Sequence, residues 1–159
     1  MVTGCSGFIA SHLVEKLIGM GNEIIGIDNL SAGRKEFMSA VEGNDKFTFI
    51  EGDLRTLDLD HVFQDVDVVC HMAANPDVRI GAENTSVHFE QNIVVTYRIL
   101  ESMKNCRTGC ILFPSTSAVY GETTIVPTRE DYGPLIPISL YGASKLSCEA
   151  LILTATHLT

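Results

Sequence analysis

The stretch Val2-Thr3-Gly4-Cys5-Ser6-Gly7-Phe8-Ile9-Ala10-Ser11-His12 decides how this chain folds. A short apolar strand runs into small residues and then directly into an amphipathic helix. Gly4 permits a tight turn, Gly7 lets the helix N-terminus approach a pyrophosphate, and Ala10 keeps helix and strand close. The pattern predicts a phosphate-binding loop, and its plainer alternative is a strand-to-helix turn that merely needs flexible residues.

A second strand after the helix ends in a carboxylate. The helix is predicted over 8–20, with Gly21 as its stop and an apolar face made of Ile9, Leu13, Leu17 and Ile18. The strand over 23–28 ends at Asp28, where a carboxylate accepts hydrogen bonds from both hydroxyls of an adenosine ribose and repels a 2′-phosphate. Asp28 therefore favours NAD over NADP. Arg34, in the following loop, is either a counter-ion for such a phosphate or a solvated cation.

Three further apolar runs predict parallel strands over 46–53, 66–74 and 109–114. The middle run is apolar almost throughout, as in a strand that is covered on both faces. Helices are predicted from about Ser139 and over 87–103, the latter with an apolar stripe of Ile93, Tyr97 and Leu100. This alternation predicts an α/β fold, a Rossmann-like doubly wound parallel sheet in three layers, with the ligand across the carboxyl ends of the strands.

Polar and small residues follow the ends of these strands. Asp53 and Leu54 would face an adenine, although Asp53 also suits the N-cap of a short helix leading to Phe63. Ala73 and Ala74 are small enough for a ligand to lie against the backbone. We therefore expect a dinucleotide site at this edge of the sheet.

Length and composition exclude several classes of protein. The 159 residues, 45% hydrophobic and 19% charged, indicate one globular domain over 1–159. A net charge of −9 without a basic stripe argues against nucleic acid as a partner. No apolar run is long enough to span a membrane, and the N-terminus lacks the layout of a signal peptide. We therefore expect a cytoplasmic protein without a membrane partner.

The five cysteines are predicted to be reduced thiols, because they include no C-x-x-C pair. Cys70 and Cys110 lie in apolar strand-like runs and are expected to fill the core. Cys106 and Cys110 lack the further His or Cys residues that a metal site needs, so no metal is predicted.

Two reactive side chains lie one helical turn apart near the end of the chain. Tyr141 and Lys145, at i and i+4, project from one face of the last predicted helix. A free tyrosine has a pKa of about 10, and a neighbouring ammonium and a positive nicotinamide ring both favour the phenolate. The hydroxyl cluster 115–117 follows the fifth strand, so one hydroxyl can bind a substrate oxygen while Tyr141 takes its proton. A helix-surface pair is the plainer interpretation of the tyrosine and lysine.

Seven motifs lie in order along the chain: Thr3-Gly4-x-x-Gly7-Phe8-Ile9-x-Ser11-His12, Asp28-Asn29-Leu30, Gly52-Asp53-Leu54, His71-Met72-Ala73-Ala74, Asn92, Ser115-Thr116-Ser117-Ala118-Val119-Tyr120-Gly121 and Tyr141-x-x-x-Lys145. In these motifs the chain resembles the extended short-chain dehydrogenase/reductases over its whole length. Within them it is most similar to the NAD-dependent epimerase/dehydratase branch, and there to UDP-glucose 4-epimerases of the archaeal type.

The resemblance implies roles for individual residues. It implies that Thr116 is the catalytic hydroxyl, Tyr141 the base and Lys145 its partner. It implies that Tyr141 and Lys145 also help to hold NAD, together with eleven further residues: Gly4, Gly7, Phe8, Ile9, Asp28, Asn29, Asp53, Leu54, Ala73, Ala74 and Asn92. It further implies a nucleotide-sugar substrate, a UDP-hexose, and a homodimer formed through the helices around 88–104 and 141–158.

The resemblance also implies the reaction. Dehydratases and decarboxylases of this branch carry an acid two residues after the catalytic threonine, where this chain has Ala118. Without that acid a 4-keto sugar has no elimination route, so the ring turns over and takes the hydride back on its other face. The expected activity is therefore epimerisation of the UDP-glucose/UDP-galactose type through a 4-keto intermediate.

The chain departs from the family pattern at three places. Ala10 replaces the usual third glycine, and Val95 stands where the branch usually has glycine. The first strand is very short and the chain stops at Thr159, so we expect a domain that is incomplete at both ends and lacks the sugar-nucleotide-binding portion. We accordingly expect little or no turnover, an expectation that full epimerase activity of this chain would contradict. A non-catalytic NAD-binding module or remnant, and a related dehydratase or dehydrogenase, are the alternatives.

Overall fold

Five parallel strands form one sheet in the computed structural model, which describes residues 1–155. The strand order is β3-β2-β1-β4-β5, with flanking helices, and it confirms the predicted Rossmann-like doubly wound sheet. The strands are Val2–Thr3 (β1), Ile24–Asp28 (β2), Phe47–Glu51 (β3), Val68–His71 (β4) and Cys110–Leu112 (β5). Each one lies inside or coincides with a run predicted from the sequence.

The chain divides into two compact units. Unit 1 comprises Met1–Ala73 and Glu101–Pro114 and contains the whole sheet. Unit 2 comprises Ala74–Leu100 and the chain from Ser115 onward. The phosphate-loop candidates therefore belong to unit 1, whereas Asn92, Thr116 and the tyrosine and lysine of the last helix belong to unit 2.

The two-residue strand β1 is the centre of the sheet. Val2 pairs in register with Gly26 of β2 and with Cys70 of β4, and both of its neighbours are parallel to it. Val2 and Thr3 are completely buried. Two residues suffice here because strands on both sides hold them, and the core around Val2 includes Cys5, Ala10, Val14, Ile24 and Cys70.

Helix α1 spans Phe8–Gly19 and ends as predicted. The amide of Gly21, whose φ is +94°, donates to Ile18 O, and the amide of Asn22 donates to Leu17 O, so the chain leaves the helix through a left-handed glycine. The predicted apolar face is wrong in one position, because Ile9 is 69% exposed. Ala10 and Val14 form the buried side instead, since small residues next to the loop let the helix pack closely against the sheet.

The predicted helix over 87–103 is divided into three pieces. They are Ser86–His88 (α4), a π-helical turn at Phe89–Val94 and Val95–Cys106 (α5). The predicted apolar stripe is wrong, because Tyr97 is 51% exposed. In the π-helical turn and α5 the buried positions are Asn92, Val95, Thr96, Ile99, Ser102 and Met103. Hydrophobicity placed the stripe wrongly because three of them, Asn92, Thr96 and Ser102, are polar side chains with internal hydrogen bonds.

The remaining helices are short, except for the last. They are Leu59–Val62 (α2), Ile80–Glu83 (α3) and Leu140–Ala155 (α6), with 3₁₀ turns at Lys35–Met38 and Ser117–Tyr120. Asp58 caps α2 by accepting from the amide of His61, so the alternative interpretation of Asp53 as that N-cap is wrong. No helix within residues 1–155 has the length and apolar character needed to cross a membrane.

One cysteine prediction fails. Cys70 is 5% exposed and belongs to the core, as expected. Cys110 is exposed, because it begins the edge strand β5 rather than a strand that is covered on both sides. Within residues 1–155, no three His, Cys, Asp or Glu side chains lie together as the ligands of a metal would.

Candidate functional site

The turn after β1 leaves no room for a side chain at Gly4. Its φ is +65°, and a Cβ atom placed there would lie 2.8 Å from the Cα of Ala73 and 2.9 Å from its amide nitrogen. The amide of Gly4 donates to Ile27 O at 2.7 Å, and the amide of Gly7 donates to Gly4 O at 3.0 Å. The backbone is thus drawn into a compact turn directly before α1, as a phosphate-binding loop requires.

The first turn of α1 presents backbone N–H groups without a capping side chain. Gly7 occupies the N-cap and contributes no side-chain hydrogen bond. Phe8 and Ile9, the first two helical residues, are each 69% exposed. The positive end of the helix dipole and these amides are suited to an anionic ligand. Together with the compact turn at Gly4, this geometry fits a pyrophosphate.

Asp28 has a structural role that its position at a strand end did not reveal. One carboxylate oxygen, Oδ2, accepts from the amide of Ser6 at 3.0 Å, and the other, Oδ1, accepts from the amide of Leu30 at 2.8 Å. The amide of Arg34 donates to Ser6 O at 3.0 Å and so ties the loop after β2 to the glycine-rich loop. Each carboxylate oxygen has a second acceptor position, so Asp28 still fits a ribose diol.

Asp53 is held by a cation that the sequence did not single out. Arg55 donates to the carboxylate of Asp53 through its backbone amide at 2.9 Å and through Nη2 at 2.7 Å. The amide group of Asn29 donates to the same carboxylate at 3.2 Å. Hydrogen bonding by Arg55 holds the pKa of Asp53 well below its usual range. Leu54 is buried. An Asp-x-Arg spacing is the sequence signal that points to this clamp.

A hydrogen-bonded triplet fixes the end of β4 against β1. The amide of Ala73 donates to Thr3 Oγ1 at 3.1 Å, and Thr3 Oγ1 lies 2.8 Å from Nδ1 of His71. A hydroxyl has one donor and two acceptor positions, so Thr3 Oγ1 can bond to both partners at once. The triplet therefore keeps the Ala73 backbone against Gly4, the close approach described above.

In unit 2, Asn92 is the centre of a buried polar network. Its Oδ1 accepts from the amide of Asn75 at 2.8 Å, and its Nδ2 donates to Ser144 Oγ at 2.9 Å. Ser144 Oγ in turn donates to the carbonyl of Tyr141 at 2.8 Å. The ring of His88 lies 5.7 Å from that of Tyr141. Asn92 thus orients the first turn of α6; Ser144 and His88 were not identified from the sequence.

The first turn of α6 also lies against the turn that carries Thr116. A Cβ atom at Gly142 would lie 2.6 Å from the carbonyl oxygen of Ala118. Thr116 Oγ1 accepts from the amide of Ala118 at 3.2 Å and so caps the 3₁₀ turn, while its hydroxyl hydrogen is left to donate elsewhere. Unit 2 therefore brings the segment of the predicted catalytic hydroxyl next to the start of α6.

Lys145 is 3% exposed, the deepest lysine among the described residues. Burial lowers the pKa of its ammonium, and Cys148 and Glu149 act in the opposite direction. In the pH range from the lowered value up to 10.5, the unfolded state binds more protons at this residue, so the free energy of unfolding rises with pH. Below that range the full cost of burying the ammonium remains.

We therefore expect the free energy of unfolding of the wild type to rise, relative to that of Lys145→Met, as the pH approaches 10.5, because the variant has no titrating group at this position. Urea unfolding of both proteins at neutral and at alkaline pH measures the difference. Lys104→Met, at an exposed position of α5, is the control and should keep the pH dependence of the wild type. The same pH dependence in the wild type and in Lys145→Met would contradict the prediction.

Comparison with known proteins gives a consistent result. The model of the family described as NAD dependent epimerase/dehydratase matches residues 1–158. A putative UDP-glucose 4-epimerase of Methanocaldococcus jannaschii is 41% identical over 155 residues, which are 96% of this chain and 49% of that protein. The chain spans about half the length of the curated relatives it matches.

Two solved structures have the same fold. The UDP-N-acetylglucosamine 4-epimerase from Methanobrevibacter ruminantium, in complex with UDP-N-acetylmuramic acid, has a TM-score of 0.91 and 36% identity, covering 99% of this chain and 50% of that chain. The UDP-glucuronic acid 4-epimerase from Bacillus cereus, in complex with UDP-glucuronic acid and NAD, has a TM-score of 0.88 and 36% identity, covering 98% and 51%. With the family model matching nearly all of its length, the chain belongs to the NAD dependent epimerase/dehydratase family.

Proposed function

We propose that this chain is the NAD-binding portion of a UDP-sugar 4-epimerase and that it carries the reacting side chains of that enzyme. The observation that supports this best is in unit 2, where the first turn of α6, which contains Tyr141, packs against the turn capped by Thr116 and where Lys145 is buried one helical turn further on. That residues 1–159 act as one NAD-binding domain is part of the same proposal.

In unit 1 the proposed ligand is the adenosine and pyrophosphate part of NAD. The amides at the start of α1 would bind the pyrophosphate, and the compact turn at Gly4 would let it approach the backbone. The free acceptor positions of Asp28 would bind the ribose hydroxyls, and its charge would disfavour a 2′-phosphate. Asp53, Leu54 and Ala73 are proposed to frame the adenine side.

In unit 2 the proposed chemistry is the removal and return of a proton. Tyr141 would take the proton of the sugar 4-hydroxyl, while the Thr116 hydroxyl donates a hydrogen bond to the same oxygen. Lys145, one helical turn further along α6, would be the positively charged partner of Tyr141. NAD, when bound, accepts the hydride from the sugar and returns it. Ala118 offers no acid for elimination, so the 4-keto sugar would be reduced on either face, which is epimerisation.

The test is a calorimetric titration of the chain with NAD⁺ and, separately, with NADP⁺. We expect saturable binding of NAD⁺ and at least about 10-fold weaker binding of NADP⁺, because of the Asp28 charge. UDP-glucose is then added to the NAD⁺ complex, and reduced nicotinamide is followed by its near-ultraviolet absorbance. Binding with reduction supports the full proposal. Binding without reduction supports the alternative of a non-catalytic NAD-binding module, and no binding of either cofactor refutes both.

A homodimer remains a prediction from the family resemblance. Tyr97 is 51% exposed and Leu153 is 65% exposed, so each of the two helices proposed to form the interface has an exposed apolar side chain. Residues 156–158 of the second helix lie outside the described residues.

A further inference from the structure

Glu149 lies on the same face of α6 as the two reactive side chains. Tyr141, Lys145 and Glu149 stand at i, i+4 and i+8, which places them in one row along the helix. Ser115 Oγ donates a hydrogen bond to Oε1 of Glu149. Since Ser115 directly precedes Thr116, the carboxylate is bonded to the segment that carries the proposed catalytic hydroxyl.

The buried ammonium of Lys145 needs an opposite charge nearby. Burial lowers its pKa, whereas Cys148 and Glu149 act to raise it. Burial raises the pKa of the Cys148 thiol, so this group is neutral at physiological pH. Glu149 is the group of the two that carries a negative charge under those conditions, and a desolvated cation is strongly stabilised by a nearby carboxylate.

Three further polar side chains lie next to this part of α6. Asn92, in the π-helical turn, donates to Ser144, and Thr96 on α5 donates to the Sγ of Cys148 at 3.2 Å. On α4, the Nδ1 of His88 lies 3.5 Å from the Nδ2 of Asn92. That nitrogen of Asn92 also donates to Ser144 Oγ, which in turn donates to the carbonyl of Tyr141.

We propose that Glu149 is a positioning residue, whose carboxylate joins the Ser115–Thr116 segment to α6 and supplies the counter-charge of Lys145. The inference rests on the proposed function, because the roles of Thr116 and Lys145 come from it. One carboxylate would then act on both proposed partners of Tyr141. It would position the segment that carries the Thr116 hydroxyl, and it would stabilise the charged form of the Lys145 ammonium.

The experiment follows the titration of Lys145 by NMR of the full-length chain labelled with ¹³C at the lysine Cε. The signal that is missing from the spectrum of Lys145→Arg belongs to Lys145. Glu149→Gln keeps the acceptor oxygen for Ser115 but removes the charge, and we expect it to lower the titration midpoint of Lys145 by about one pH unit. Ser115→Ala removes the hydrogen bond but keeps the charge, and Glu130→Gln removes an exposed carboxylate of the same unit. Both should move the midpoint by less than about a third of that amount.

An unchanged midpoint in Glu149→Gln, or an equal shift in Glu130→Gln, would overturn the proposal. Glu149→Asp keeps the negative charge, so its Lys145 midpoint should lie close to that of the wild type. A merely structural role for the glutamate side chain predicts that Glu149→Asp lowers the midpoint as much as Glu149→Gln does. If Glu149→Gln does not fold, Glu149→Ala takes its place as the variant without the charge, and an unchanged Lys145 midpoint in that variant would overturn the proposal. Calorimetry with NAD⁺ on the same wild-type sample separates the two proposals, because Lys145 titrates whether or not the cofactor binds.

Discussion

Gly4→Ala is expected to lower the free energy of unfolding by about 3 kcal/mol, the sum of left-handed strain and overpacking. The strain arises because the φ of Gly4 is +65°. The overpacking arises because the new Cβ atom would lie 2.8 Å from the Cα of Ala73, a backbone atom that the Thr3 hydrogen bond holds in place. Urea unfolding measures the loss, and calorimetry should find no saturable NAD⁺ binding by the variant.

Two other glycines separate these contributions. Gly43 has a φ of +75°, but a Cβ atom added there would meet no other atom within 4 Å, so Gly43→Ala should cost only the strain, about 1 kcal/mol. Gly19, the last residue of α1, has neither a positive φ nor a near neighbour, so Gly19→Ala should raise stability, by about 0.5 kcal/mol, since the full helix-interior effect of about 1 kcal/mol does not apply at a helix end. A loss for Gly4→Ala no larger than that for Gly43→Ala would show that the approach of Ala73 is unimportant.

Asp28→Ala is expected to weaken NAD⁺ binding by at least about 100-fold, because the variant would lose the two hydrogen bonds that we propose between this carboxylate and the ribose hydroxyls. The same change should lower the free energy of unfolding by about 2 kcal/mol, since the amides of Ser6 and Leu30 lose their acceptor in a partly buried setting. Calorimetry and urea unfolding of the same samples measure the two effects. Asp45→Ala, at an exposed position of unit 1, is the control and should change neither.

The isosteric change Asp28→Asn separates charge from shape. It keeps one acceptor oxygen and removes the repulsion of a 2′-phosphate, so the preference for NAD⁺ over NADP⁺ should fall by at least about 10-fold. If Asp28→Asn binds NAD⁺ as tightly as the wild type and NADP⁺ no better, the carboxylate does not contact the ribose. Asp28 would then serve only to join the glycine-rich loop to the loop after β2.

The sequence predicted some parts of this fold well and others poorly. Apolar runs located all five strands, and Gly21 marked the end of α1, because strand burial and left-handed helix ends depend on local residue types. The stripe assigned to Ile93, Tyr97 and Leu100 was wrong at Tyr97, which is exposed, and the core position assigned to Cys110 was wrong as well. Both errors have one cause: whether a residue is covered depends on which element packs over it, and a buried polar face such as that of Thr96 looks solvent-exposed in a hydrophobicity pattern.

Spacing along the chain was enough to predict the glycine turn and the carboxylate that ends β2, since each depends on near neighbours or on a strand end. Contacts between residues far apart in the chain settled the rest. Asp28 bonds to Ser6, Asn92 bonds to Ser144, and Ser115 bonds to Glu149. No local pattern encodes such bonds, because a polar side chain finds its partner only after folding has brought distant segments together and removed the water that would otherwise satisfy it.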